Sequence, residues 1–395
     1  MNGKLREAIG FFTRETGIMD ALAVSFRKGE FRERARDGRD AGERTLYDLA
    51  SVTKIFTGIC LMRLWEEGLL DPARRVTWYC PDFSGLACVT VEQLMGFQVQ
   101  LRTEERIDGQ RDREAALRCL RGVRAVGATG ARAYSDIPAM VLKYVAEQVS
   151  SLSLWECVDR MILRPAGMRE TFARVPRERV DDCLLYGPEY RVEGDKWIRR
   201  EGMRRGIPHD PKAALLQGES GDLCGHAGLF STLADLERLG DALLDGSLLT
   251  GESLRRIAQN RTGRQRADGT YTQYLGYCCY LKHPDQYYSE IPAGMGKHAF
   301  GIGGFTGNHF SVDPEQGRYT VFLGNRVRDR LTVVRPPEGK TLRDFGLRED
   351  GVGRICWTDG SVHPSSVNYV HQKDQHLHAV IEEILRRRGE EEETV

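Results

Sequence analysis

The chain has 395 residues, 41% of them hydrophobic, enough to bury a substantial core and too apolar for a disordered or fibrous protein. Its 57 basic and 57 acidic residues cancel, so no global field steers it toward nucleic acid or an anionic membrane. The basic runs Arg199-Arg200 and Arg204-Arg205 are interrupted by acidic neighbours and read as solvated surface. Ten cysteines at irregular spacing match neither a zinc module nor a disulfide framework. No window is apolar for the length a bilayer span requires, and Lys4, Arg6 and Glu7 break up any secretory leader. The expected location is cytoplasmic, with neither nucleic acid nor membrane as partner.

Residues 2–15 read as an amphipathic helix, followed by a hairpin whose arms are Ala21 to Phe26 and a weaker run near Phe31, with its turn at Lys28-Gly29. From Ser51 to about Glu67 the apolar residues cover most of a helix that Gly68 stops, which implies burial. The stretch from 90 to 170 reads as helices at 90–96, 112–121, 137–149 and 152–162. Residues 173–225 read as a polar, Gly- and Pro-containing segment too long for an idle loop, and therefore placed near a ligand. Helices are predicted at 232–244, capped by Ser231 or Thr232, and at about 250–258. Tyr271 to Leu281, His309 to Val312 and Tyr319 to Asn325 have the aromatic and β-branched content of antiparallel strands, with Cys278 and Cys279 on opposite faces of the first. A last helix, Gln375 to Arg387, precedes an acidic tail, Glu390 to Glu393, expected to be disordered. The predicted class is α+β: an antiparallel sheet flanked by helices and built from both chain ends (1–50 and 265–395), with a largely helical lobe (51–264) inserted.

The chemistry begins at Ser51-Val52-Thr53-Lys54. Positions i and i+3 share a helix face, so Lys54 can lie beside the Ser51 hydroxyl and take its proton. Tyr134-Ser135-Asp136 stands before a helix, either as a cap with a packed aromatic or as a phenol whose pKa a neighbouring lysine lowers. The run Gly301 to Gly307 has four glycines in seven residues; it reads either as a sharp turn between strands or as backbone aimed at a developing oxyanion. It lacks the ending of a phosphate-binding loop. His226, among small residues, reads as a packed or supporting side chain, and His209-Asp210-Pro211 as a turn. His371, His376 and His378 read as an exposed C-terminal group, and no histidine pair has metal-ligand spacing. No Gly-x-Ser-x-Gly elbow is present.

Together these segments resemble the serine β-lactamase and penicillin-binding-protein superfamily, in its class C β-lactamase-like branch, which also holds esterases, D-stereospecific peptidases and some acyltransferases. The resemblance runs from about residue 18 to 330. It rests on Leu46 to Lys54, Leu163 to Thr171, His209-Asp210, Gly225 to Thr232, and Gly303 to Gly307 leading to Val312-Asp313-Pro314 and Asn325-Arg326-Val327. It implies that Ser51 attacks an acyl carbon of a small-molecule substrate while Lys54 and Tyr134 manage its proton. The N–H groups of Ser51 and Phe305 would form the oxyanion hole. Asp136, His226, Ile302, Gly303 and Gly304 would bind substrate or support the site, with no metal or cofactor.

Three positions depart from the pattern. Ile302 stands where relatives usually carry Lys or His, which should weaken recognition of a substrate carboxylate and make ordinary β-lactams poor substrates; Lys297 or His298 would have to approach instead. Leu94 to Gln98 lacks the usual histidine and serine, and Asp136 replaces a more usual Asn. The expected function is a serine acyl hydrolase of small esters or amides. The alternatives are an acyltransferase with the same acyl-enzyme and a catalytically degenerate binding protein.

Overall fold

The computed structural model describes residues 2–128, 134–349, 354–357 and 360–393. Its centre is a six-stranded antiparallel sheet in the order Phe31–Gly38, Ala21–Lys28, Arg318–Gly324, His309–Asp313, Phe300–Gly303, Tyr280–Leu281. Strands from the two ends of the chain meet at its middle, with Leu22 opposite Gly324 and Lys28 opposite Arg318. Alternation along Ala21–Lys28 divides its side chains between two cores. Leu22, Val24 and Phe26 pack with Leu5, Ile9 and Phe12 of the first helical segment and with Leu377 and Ile381 near the C-terminus. Ala21 and Ala23 face the main core, and helix Leu233–Leu244 packs on that side of the sheet.

Helix Thr53–Glu66 is buried over nearly all its circumference, as its sequence requires, against Ile137–Ser150 and Leu154–Val158. Thr232 caps Leu233–Leu244 by accepting the Asp235 N–H, and Thr250 caps Gly251–Ile257. The Asp235 carboxylate does not return the bond to its own cap. It accepts from the backbone of Arg169 and Glu170, closing the segment that ends the helical region.

Five expectations need correction. Within the stretch read as wholly helical, Val99–Arg102 pairs with Arg124–Ala128; the second strand is exposed throughout and carries no hydrophobic alternation to announce it. The 173–225 segment is not one uninterrupted loop. Glu189–Glu193 and Lys196–Arg200 form a hairpin that Arg330–Arg335 extends in parallel, and Pro211–Leu216 is a helix. Residues 271–279 are not a continuous strand: Cys278, with a left-handed backbone (φ 56°), lies in a turn that folds Tyr280 back opposite Leu275. The acidic tail continues helix Ala379–Glu393, anchored where Ile381, Ile384 and Leu385 are buried. The C-terminal histidines are not an exposed group: His378 is buried against Phe322 and His376 stacks on Phe11 at 3.8 Å. All ten cysteines are free thiols, and among the described residues no helix is long and apolar enough to cross a membrane.

Candidate active site

The site is assembled around Asp48. The short strand Tyr47–Asp48 pairs with Phe230–Ser231, and the chain then turns through Ala50, whose positive φ of 45° is unusual for a residue with a Cβ. The buried Asp48 carboxylate holds that corner, accepting the N–H of Ala50 at 2.9 Å and of His209 at 2.6 Å. Burial raises its pKa, and these two N–H donors partly offset the rise. Ser51 follows at the entrance to helix Thr53–Glu66.

Lys54 Nζ lies 2.9 Å from Ser51 Oγ. The amine is buried, and its other contacts are Asp136 Oδ1 at 2.8 Å and the carbonyl of His226 at 3.1 Å, which uses all three donors of an ammonium. Asp136 also meets Lys212 Nζ at 3.1 Å, and Lys212 reaches Asp210 at 3.2 Å. Asp210 caps helix Pro211–Leu216 and pairs with His226 Nε2 at 2.9 Å. Burial opposes ionisation of Asp136, but Lys54, His226 and Lys212 outweigh it and hold its carboxyl well below the usual range. Asp210 is held low in the same way by His226 and Lys212. Asp136, Asp210 and His226 bring potential ligand atoms within 4.8 Å of one another, the spacing of a metal site. Two lysine ammonium groups already meet the charge of both carboxylates there.

Tyr134 differs from expectation. Lys54 Nζ sits 5.0 Å from its ring centroid, over the face and not at the hydroxyl. The ring packs between Phe97, from the divergent 94–98 segment, and Tyr280, at 5.4 and 5.0 Å. Burial, with Asp136 adding to it, pushes the phenol pKa well above its ordinary value, and the nearby Ser51 offsets this only in part. Among the described residues the hydroxyl has no well-formed hydrogen bond, to Lys54 or to any other group.

The glycine-rich segment approaches the nucleophile corner closely. A Cβ on Gly304 would lie 2.7 Å from the Leu49 carbonyl, so glycine is required there. Thr306 Oγ1 and Asn308 Nδ2 both donate to the Asp48 carbonyl, at 2.9 and 2.5 Å, tying the loop to the strand before Ser51. Phe305, Thr306, Ser51, Tyr134 and Asp136 line one cavity of about 260 Å³. Ile302 does not line it: its side chain is fully buried in the main core. Gly303 adjoins Glu290, whose Oε2 would lie 2.9 Å from a Cβ there and which pairs with Lys373 of the C-terminal segment at 3.0 Å. Lys297 and His298 do not approach Ser51. They line a separate, larger hollow with Glu252 and Arg255, where His298 pairs with Glu315.

Sequence reading missed Arg191, Arg200 and Lys212 on the cavity wall. Arg200, read as solvated surface, instead donates to the buried Glu189 at 2.8 Å. The alternation of Tyr190 and Val192 before Gly194-Asp195 would have revealed the hairpin that carries the two arginines.

A family model described as Beta-lactamase matches residues 17–338. A curated "Putative D-alanyl-D-alanine carboxypeptidase" of Salmonella agona is 25% identical over 321 residues, 72% of this chain and 70% of its own. Among solved structures, a penicillin-binding-protein homologue from Caulobacter crescentus superposes with a TM-score of 0.63 at 19% identity, covering 84% of this chain and 93% of its own. A hydrolase with promiscuous acyltransferase activity superposes at 0.64 with 16% identity, covering 82% and 94%. These two structures share the fold.

Proposed function

Because the chain belongs to the beta-lactamase family, we propose that it is a serine hydrolase that forms an acyl-enzyme on Ser51 with small esters or amides. The observation that carries this reading is the 2.9 Å approach of Lys54 Nζ to Ser51 Oγ at a cavity also lined by Tyr134 and Phe305. Lys54 in its neutral form takes the serine proton, and Asp136 with the His226 carbonyl stabilises the ammonium that results. Oγ bonds to the acyl carbon while negative charge grows on the acyl oxygen between the N–H groups of Ser51 and Phe305. Lys54 then passes that proton to the departing alkoxide or amine, beside Tyr134, whose phenol burial holds toward its neutral form. Water then attacks the acyl-enzyme, its proton returns through the same groups, and the acid and free Ser51 are released.

The buried, uncharged Ile302 argues for weak or absent turnover of ordinary β-lactams. Carboxypeptidase-named relatives make a peptide ending in a D-amino acid a useful member of a substrate panel. The direct test is intact mass after treatment with a fluorophosphonate. One adduct on Ser51, lost in Ser51→Ala, is expected; no adduct and no turnover of any ester or amide would overturn the reading. Products formed with an added alcohol or amine separate hydrolysis from acyl transfer, since a hydrolase yields the acid.

A further inference from the structure

The hollow that Lys297 and His298 line has a volume of about 560 Å³, a size that suits one small molecule, and shares no lining residue with the Ser51 cavity. It sits at the far end of strand Phe300–Gly303. Lys297 and His298 lead into that strand, and the Ser51 cavity lies past its other end, at Phe305. The remaining walls come from helix Gly251–Ile257 with the turn after it, and from Tyr274, Leu281 and Lys282.

Besides His298, four cationic side chains and a single carboxylate line this hollow. Arg256 pairs with that carboxylate, Glu252, at 2.5 Å, and its guanidinium lies 4.5 Å from the centroid of the Trp65 ring. His298 meets Glu315 at 2.5 Å. Lys282 donates to the carbonyls of Ala293 and Met295, the latter at 2.6 Å, and Glu382 is the acid that acts on it most strongly. Arg255 and Lys297 are exposed, and among the described residues neither side chain has a hydrogen bond or an ion pair. With Arg256 set against Glu252, His298 against Glu315 and Lys282 against Glu382, two full positive charges remain.

The surroundings restrict what can neutralise them. An adjoining hollow that shares Arg255 and His298 is lined by Asp245 and Glu315, so an extended polyanion leaving on that side meets carboxylates. Ala258 and Leu281 give the first hollow an apolar wall, continued by the half-buried Tyr274. That ring packs so closely on Gly263 that a Cβ there would lie 2.3 Å from it, which fixes the ring before a ligand enters. A phosphate monoester carries about two negative charges near pH 7, matching the two that are unmet. A guanidinium grips such a group through parallel hydrogen bonds, and an ammonium adds a point charge.

We infer that this hollow is a second ligand site, which binds the phosphate group of a small phosphorylated organic molecule through Arg255 and Lys297, with the organic part against Tyr274 and Leu281. It does not depend on the serine-hydrolase reading, since no residue lines both cavities.

Calorimetric titration of the native protein with phenyl phosphate, inorganic phosphate and phenol tests it. Phenyl phosphate should bind once per chain and at least about threefold tighter than inorganic phosphate, and phenol should give no measurable heat. Arg255→Gln and Lys297→Gln, both at exposed positions that folding does not use, should each weaken phenyl phosphate by about tenfold. Lys196→Gln, at the exposed turn of the 189–200 hairpin, should leave it unchanged, and Tyr274→Leu should abolish the preference over inorganic phosphate. No saturable binding, or an equal loss in Lys196→Gln, would overturn the site. A second measurement uses the unaltered chain: amine acetylation mapped by peptide mass. Phenyl phosphate at about ten times its Kd should slow modification of Lys297 about tenfold and leave Lys196 unaffected. An unchanged rate at Lys297 would place the binding elsewhere and overturn the inference.

Discussion

Arg326 holds Phe305 from two directions: its Nε donates to the Phe305 carbonyl at 2.7 Å, and its guanidinium lies 4.8 Å from the centroid of the ring. The same guanidinium donates to the Ser366 carbonyl at 2.8 Å, and the Tyr369 hydroxyl donates to the carbonyl of Gly307 at 2.6 Å. Between these anchors the Gly307 N–H bonds the Gly304 carbonyl at 2.9 Å, which fixes the plane of the Gly304–Phe305 peptide. Ser366 and Tyr369 lie beyond residues 17–338, so the C-terminal segment helps to position a loop of the matched family region.

If the Phe305 N–H stabilises an oxyanion, loosening this anchorage should lower kcat more than it raises KM. Arg326→Met is expected to reduce kcat about 10- to 100-fold, short of or near the loss of a whole oxyanion donor, with KM changed less than about threefold. Tyr369→Phe removes one hydrogen bond at constant volume and should show the same pattern at smaller size. Steady-state kinetics on an activated ester check both. A rise in KM at constant kcat would assign Arg326 to substrate binding instead.

Glu189 gives a prediction in pH. Its folded pKa of about 2 lies below its ordinary 4.5, so its contribution to stability is fully present above about pH 5 and is lost as pH falls toward 2. The separation corresponds to on the order of 3 kcal/mol for this buried carboxylate. Glu189→Gln should therefore melt several degrees lower than the native protein at pH 7, and the gap should close as the scans move from pH 5 to pH 2.5. A gap independent of pH would mean that the loss comes from packing and not from charge.

What the sequence revealed depended on whether the signal was local. Ser51 and Lys54 share one helical turn, so their contact followed from spacing alone. The strands at 21–28, 309–313 and 318–324 are buried on both faces and announce themselves by composition. Arg326 and Tyr369 act on Phe305 from 21 and more than 60 positions away, and Lys373 meets Glu290 across 83, so no periodicity joins them. Tyr134 lines the same cavity as Ser51, but its protonation depends on which part of the ring faces Lys54, which no spacing encodes. The hairpin carrying Arg191 and Arg200 is legible as alternation around a Gly-Asp turn, and the charged residues along both arms mask it.

Lys212 bridges two carboxylates that would otherwise face each other with less countercharge, Asp136 at 3.1 Å and Asp210 at 3.2 Å. Lys212→Met should destabilise the fold by about 3 kcal/mol, the low end for unpairing a buried charge, because its side chain retains some exposure. Adding Asp210→Asn removes one of the stranded charges while leaving an oxygen for His226. The double variant should then lose less stability than the sum of the two single ones, by about 1 kcal/mol or more. Chemical denaturation of the four proteins measures the cycle, and strict additivity would show that the lysine is not shared as the distances indicate.

Ile302 stands where the family pattern would place a cation to give the usual substrate range. Its side chain is fully buried in the main core, and beside the neighbouring Gly303 stands Glu290, already paired with Lys373 at 3.0 Å. A lysine at 302 would thus enter an apolar site whose adjacent acid is committed. Ile302→Lys is expected to cost at least about 3 kcal/mol of stability, through burial of an unpaired charge, without raising the hydrolysis of a chromogenic cephalosporin. Ile302→Val, which only trims volume, should cost about 1 kcal/mol and leave the cavity wall unchanged. A stable Ile302→Lys protein with cephalosporin turnover well above native would show that the strand retains the family's cation site, and that position 302 alone sets the substrate range.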